Sequence, residues 1–198
     1  MAPWHRRNEF FPDGHLATQS SGEPKEGSLK TSVLNATTPS DGPMVSDEVI
    51  VGVVRAVNRQ IEEDFAPYWQ VRGELRDEGS VGTLPPDAKA DARRDLRGDA
   101  VIYLTDDGAG KSALGFHDMD GRDIPFGVVD IAIAIAAGRK WSVTLSHETL
   151  ELLADPEVNR LAIGPHPDPG ETRRVYRWYE ICDPVQAESC SLDGIHSS

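Results

Sequence analysis

The sequence predicts an α+β fold in which a mixed sheet packs against a long amphipathic helix and a shorter helix carrying the chemistry. Three observations predict it. Ile50, Val54, Val57, Ile61 and Phe65 recur at three- and four-residue steps, the spacing of one helical face. The runs Ala100–Thr105 and Phe126–Ala136 are apolar and β-branched, as buried strands are. Residues 143–154 form a third periodic stretch, with Leu145, Leu152 and Leu153 able to face a core. Pro156 closes it, since proline lacks an amide donor and biases the residue before it out of the helical region.

In chain order, residues 1–44 are rich in Ser, Thr, Gly and Pro without an apolar period and are expected to be a disordered or loosely attached tail. Ser46 followed by Asp47 and Glu48 is a helix cap with acids in the first turn, where they complement the helix dipole. The helix ends before Pro67, Trp69–Leu75 is a candidate strand, and residues 79–98, charged and with Pro85-Pro86, form a long loop or a loop with one short helix. After the strand at Ala100–Thr105 comes Asp106-Asp107-Gly-Ala-Gly110-Lys111-Ser112. A phosphate loop is rejected there, because Thr105 stands where glycine is required and no helix follows. The match to a dinucleotide fingerprint at Gly108 and Gly110 fails on the same missing helix. Asp118-Met-Asp120-Gly121-Arg-Asp123 departs from the spacing of a calcium loop and reads as a polar turn. Residues 159–171, with Pro165, Pro167 and Pro169, read as an irregular connection.

The chain has 198 residues, with 33 acids against 20 Lys and Arg and a formal charge of -13, which suits one domain at 45–198 plus the tail. Residues 1–44 hold four basic and five acidic side chains, so -12 of that charge belongs to the expected domain. Such a surface repels phosphate backbones, which argues against a nucleic-acid partner. Cys182 and Cys190 form neither a disulfide framework nor a Cys-x-x-Cys pair. No signal-like core and no apolar run of membrane length occurs, so no membrane partner is expected and a cytoplasmic location is the default.

The chemistry concentrates in His147-Glu148-Thr-Leu-Glu151. His147 and Glu151 stand one helical turn apart and can reach one ion together. The string differs by one residue from the zinc-protease helix His-Glu-x-x-His, in which the adjacent Glu is the general base. Replacing the second histidine by Glu151 keeps the geometry and adds a negative ligand. Further along, Tyr179-Glu180-Ile-Cys182-Asp183-Pro184 places Glu180 and Asp183 as candidates for the third metal ligand, since a catalytic site needs three protein ligands and an open position.

Three blocks in order carry a resemblance: Gly115-Phe-His117-Asp118, then Ser146-His147-Glu148-Thr-Leu-Glu151-Leu-Leu-Ala-Asp155-Pro156, then Tyr179-Glu180-Ile-Cys182-Asp183-Pro184. Over residues 46–193 the chain resembles a family of bacterial and phage-associated proteins that is itself similar to zincin-type metallopeptidases. The resemblance implies a zincin-like fold: a twisted mixed sheet, a long N-terminal helix and a metal-bearing active-site helix. Members of that family continue into a further apolar segment, which implies that a C-terminal piece is missing here.

Two functional readings follow. In the first, the chain is a metal-dependent hydrolase, a peptidase acting on peptide or protein substrates. His147, Glu151 and Glu180 or Asp183 hold the ion, Glu148 is the general base, His117 steadies the oxyanion, and Asp155 or Asp183 orients the ligands. Zn²⁺ is the expected cofactor, with Mn²⁺ or Ca²⁺ as alternatives for a carboxylate-rich set. In the second, the chain is a non-catalytic zincin-like binding or structural module whose carboxylates hold Ca²⁺ or nothing. Glu148 discriminates, because binding alone does not require it.

Overall fold

The computed structural model describes residues 28–37, 44–80, 98–106 and 113–198. In chain order the larger elements are β1 (Leu29–Asn35), α1 (Asp47–Gln60), α2 (Ala66–Trp69), β2 (Gly73–Ser80), β3 (Ala100–Thr105), β4 (Gly115–Met119) and β5 (Pro125–Asp130). They are followed by α3 (Ile131–Ala136), α4 (Trp141–Ala154), β6 (Leu161–Pro165), β7 (Arg174–Trp178), β8 (Cys190–Leu192) and β9 (Ile195–Ser197). Five strands form one sheet in the order β2-β1-β3-β5-β4. The first four are mutually parallel, and β4 runs antiparallel to β5 at the edge. The α+β class is thus observed: a mixed open sheet with helix α4 packed on its β5 and β4 strands.

Contacts divide the chain into two compact units. One comprises 26–158 with 180–198, the other the 159–179 segment. The smaller unit is the β6–β7 hairpin, with Leu161 opposite Trp178 and Pro165 opposite Arg174. It replaces part of the irregular connection expected over 159–171. His166 and Arg173 close it through a backbone hydrogen bond of 3.2 Å.

Three other expectations change. The 1–44 tail is interrupted by β1, which lies between β2 and β3 with Thr31 to Asn35 fully buried; residues 1–27 and 38–43 lie outside the described residues. Thr31 and Ser32 disguise β1 in sequence, because a parallel strand covered on both faces gives no alternation. The long helix is therefore not N-terminal: a strand precedes it. The strand expected over Phe126–Ala136 stops at Asp130, whose carboxylate accepts from the Ile133 amide at 2.7 Å and caps α3. A capped Ala-rich segment favours a helix over strand continuation. The strand expected at Trp69–Leu75 begins instead at Gly73, after Gln70 turns the chain in the left-handed region at φ 55°.

Helix α1 starts as expected, with the Ser46 hydroxyl accepting from the Val49 amide. It continues through a wide turn at Ile61–Phe65 before Pro67. Its buried face, Ile50, Val53, Val54 and Val57, packs on β2. There the Asn58 side chain bonds both backbone groups of Leu75, donating to the carbonyl at 2.9 Å and accepting from the amide at 2.7 Å. Under the other layer, Leu34, Val101, Tyr103 and Val128 form a core cluster with Phe116 and Phe126 against it. The polar turn read at Asp118–Asp123 is observed, with Asp120 accepting from the amides of Arg122 and Ile124 at 2.9 Å each. The phosphate-loop string at 107–112 and most of the 79–98 loop lie outside the described residues. Among the described residues no helix is long and apolar enough to cross a membrane.

Because Asn58 satisfies two backbone groups of β2 at once, its removal leaves both without a partner. Asn58→Leu is expected to cost about 1–3 kcal/mol of folding stability, measured by denaturant unfolding.

Candidate metal centre

Helix α4 is buried on nearly every side, including Ser146, Glu148, Thr149 and Glu151. A solvated acidic helix would expose its carboxylates, yet Glu148 is 6% and Glu151 3% exposed. Charges so placed need partners or a counter-ion. Side-chain bonds fix the helix in rotation. The Ser146 hydroxyl donates to Gln60 of α1 at 2.6 Å and accepts from the Ser198 amide at 3.2 Å, while Ser142 donates to the His196 carbonyl at 2.7 Å. With Ser146 turned toward α1, its neighbours His147 and Glu148 turn toward the pocket by β4.

Strand β4 delivers His117 to the same place. Its ring Nδ1 lies 3.5 Å from Glu148 Oε2 and 3.8 Å from Glu151 Oε2, and its Nε2 lies 3.9 Å from Glu180 Oε2. Close approach of strand and helix depends on Gly115, where a Cβ would meet Glu148 Oε1 at 2.6 Å and Thr144 Cγ2 at 2.7 Å. On the opposite side His147 Nε2 lies 3.2 Å from Glu151 Oε2 and 3.5 Å from Asp183 Oδ1. Glu151 Oε1 accepts from the Cys182 amide at 3.1 Å, so the backbone of the third motif block is tied directly to the helix.

The structure brings together His117, His147, Glu148, Glu151 and Glu180, and it sorts the candidate ligands differently from the sequence. Two groups have ligand atoms all within 4.8 Å of one another: His147, Glu151 and Cys182, and His117, Glu151 and Glu180. Glu180 therefore joins His117 and not His147. His117 occupies ligand-like geometry. Asp183 approaches His147 alone and is in neither group. Asp155 is buried below the last turn of α4, its amide bonded to the Glu151 carbonyl at 2.8 Å, and likewise belongs to neither. Cys182 was missed. Its signal was its position between the two acids of the third block, combined with the affinity of a thiolate for zinc.

Electrostatics agree with a site built for positive charge. Burial is the largest effect on His117 and pulls its pKa down, but the hydrogen bond to Glu148 and the charges of Glu180, Glu148 and Glu151 outweigh it and hold it above 6.5. Burial likewise opposes protonation of His147, and Glu151, Glu148 and Asp183 outweigh it. Burial pushes Glu148 up, only partly offset by the two imidazoles. Glu180 is raised by burial and by the nearby Glu151. Glu151 would also be raised by burial, but its bonds to His147 and the Cys182 amide carry it below the usual carboxylate value. Burial pushes the Cys182 thiol far up, so it stays protonated unless a cation binds. Among the described residues, these carboxylates meet imidazoles, a backbone amide and, between Glu180 and Glu151, each other, with no Lys or Arg in their ion pairs. Imidazole, carboxylate and thiol donors of this kind fit zinc.

No protein-family model matches the sequence, and no curated protein matches it. Among solved structures, the chain is similar to one in a chaperone–substrate complex, at 17% identity and a TM-score of 0.43, over 71% of this chain and 26% of that one. The chain thus spans about a quarter of that neighbour's length. A likeness at this level bears on neither family nor partner.

The shifts set how the metal-free protein responds to pH. Raised histidine values stabilise the fold fully below 6.5, and that contribution is lost as pH rises through the folded values. Raised Glu148 and Glu180 act in the same sense from 4.5 upward, whereas the lowered Glu151 value stabilises above 4.5 and is lost only in stronger acid. Denaturant unfolding of the chelator-treated protein is expected to show lower stability at about pH 9 than at about pH 6. His117→Gln is expected to shrink that difference.

Proposed function

We propose that the chain is a metal-dependent hydrolase of peptide bonds, of zincin-like type and related to the bacterial and phage-associated family whose blocks it shares. One observation carries this reading: Glu148 is buried beside both histidines and Glu151, next to the residues able to hold a cation. A module that only binds metal has no need of a further buried carboxylate there. The imidazole and thiol donors also favour zinc over calcium, which takes oxygen ligands.

In this mechanism Glu151 with His147 and Cys182, or with His117 and Glu180, would hold the ion. A bound divalent cation supplies Lewis acidity and lowers the pKa of a bound water. Glu148 takes the proton from the attacking water on its Oε2 and returns it to the leaving amine. Its raised pKa matches that task, because a base poised nearer neutrality both accepts and releases a proton. His117 restrains the Glu148 carboxylate at 3.5 Å and keeps it aimed. Among the described residues strand β4 pairs with β5 on one side only, and its second edge can receive an extended peptide through main-chain hydrogen bonds. The substrate would then lie alongside His117 and Glu148.

Glu148→Gln keeps size and shape and removes the base. It is expected to retain metal while lowering peptide hydrolysis about 10²–10⁴-fold, read with a peptide library on the metal-loaded protein. Unchanged turnover in that variant would remove Glu148 from the mechanism.

A further inference from the structure

The two candidate ligand groups share a residue and divide the histidines between them. His147 is grouped with Glu151 and Cys182, His117 with Glu151 and Glu180, and among the described residues no group contains both imidazoles. Ligand atoms around one tetrahedral zinc ion stand roughly 3.5 Å apart, so the two groups taken together are wider than a single ion spans. One ion therefore accounts for one group and leaves the other unused. Glu151 Oε2 lies between the two rings, 3.2 Å from His147 Nε2 and 3.8 Å from His117 Nδ1. A carboxylate flanked by two imidazoles, each able to offer one ring nitrogen to an ion, is placed as a bridge, and bridged pairs of ions stand about 3.5–4 Å apart in hydrolytic two-metal centres.

We infer that the pocket takes two divalent cations bridged by Glu151: a thiolate subsite of His147, Glu151 and Cys182, and an oxygen-rich subsite of His117, Glu151 and Glu180. The inference rests on the hydrolase reading for the existence of a metal centre and adds the second ion. Charge argues independently for two. Glu148, Glu151, Glu180 and Asp183 surround the histidines, and with the Cys182 thiolate of the first subsite they carry five negative charges, of which one divalent ion offsets two. A second ion raises the number offset to four, with no Lys or Arg among the ion pairs of these residues. The subsites also differ in chemistry. A sulfur ligand makes the first selective for zinc-like ions, whereas His117 and Glu180 also suit manganese. Binding at the first subsite displaces the Cys182 proton to solvent. The Cys182 amide bond to Glu151 Oε1 holds the carboxylate so that Oε2 faces both rings.

The test uses the full chain, stripped with chelator and reloaded with Zn²⁺ or Co²⁺, with folding followed by circular dichroism. Native mass spectrometry is expected to count two ions per chain. Co²⁺ is expected to give a thiolate-to-metal absorption band in the near ultraviolet that is lost in Cys182→Ser and kept in Cys190→Ser. His117→Gln and the more exposed Glu180→Gln are each expected to reduce the count to one while keeping that band. One ion in the folded wild type overturns the second subsite and leaves the hydrolase reading standing. No bound ion overturns both. Two ions retained in both His117→Gln and Glu180→Gln would place the second ion elsewhere and overturn this assignment.

Discussion

The buried carboxylate of Glu151 is the constraint around which the rest is arranged. It sits in the last turn of α4, 3% exposed, where an uncompensated charge costs several kcal/mol. What compensates it comes from its own helix and from two distant parts of the chain. His147 lies one turn back on α4, His117 comes from the edge strand β4, and the Cys182 amide comes from the segment after residue 180. The fold brings these three together, and removing any one leaves the charge short of a partner. Long-range packing and local chemistry are in this sense a single requirement.

The sheet and helices are explicable as the means of holding that arrangement. Ser146 ties α4 to Gln60 of α1, fixing the helix in rotation so that His147 and Glu151 face the pocket. Gly115 lets β4 approach α4 until Glu148 and His117 are in contact distance, which any larger residue would prevent. The β8–β9 hairpin packs on both helices. Asp193 and Gly194 turn it with positive φ, as a two-residue hairpin loop requires. The energetic reason for investing so many buried polar groups is positional, since an apolar core of the same volume is usually the more stable choice.

Much of this was legible in the sequence where a strong local signal exists. The capped amphipathic helix from Asp47, the buried strand at Ala100–Thr105 and the helix ending before Pro156 all follow from periodicity and caps. The His147–Glu151 pair follows from i, i+4 spacing. What was not legible depended on tertiary partners. β1 is half polar in sequence, and only burial between two parallel neighbours makes Thr31 and Ser32 core residues. The Ile-Ala alternation after Asp130 looks like a strand, and the cap hydrogen bond to Ile133 decides for a helix. At the site, the three blocks read from the sequence come together, but the sequence joined Glu180 or Asp183 to His147 and Glu151. Glu180 faces His117 and Cys182 faces His147, a sorting set by how the chain crosses the end of α4, which no local pattern encodes.

The account stands on the buried cluster being a cation site, and thermal unfolding of the chelator-treated protein with and without added zinc tests this most directly. A ligand that binds only the folded state raises stability by about 2.7 kcal/mol at a hundred times its dissociation constant. The account predicts a melting temperature raised by several degrees with zinc, an increase that grows as pH rises and that Glu151→Gln abolishes. A melting temperature indifferent to zinc, manganese and calcium across that pH range would contradict it.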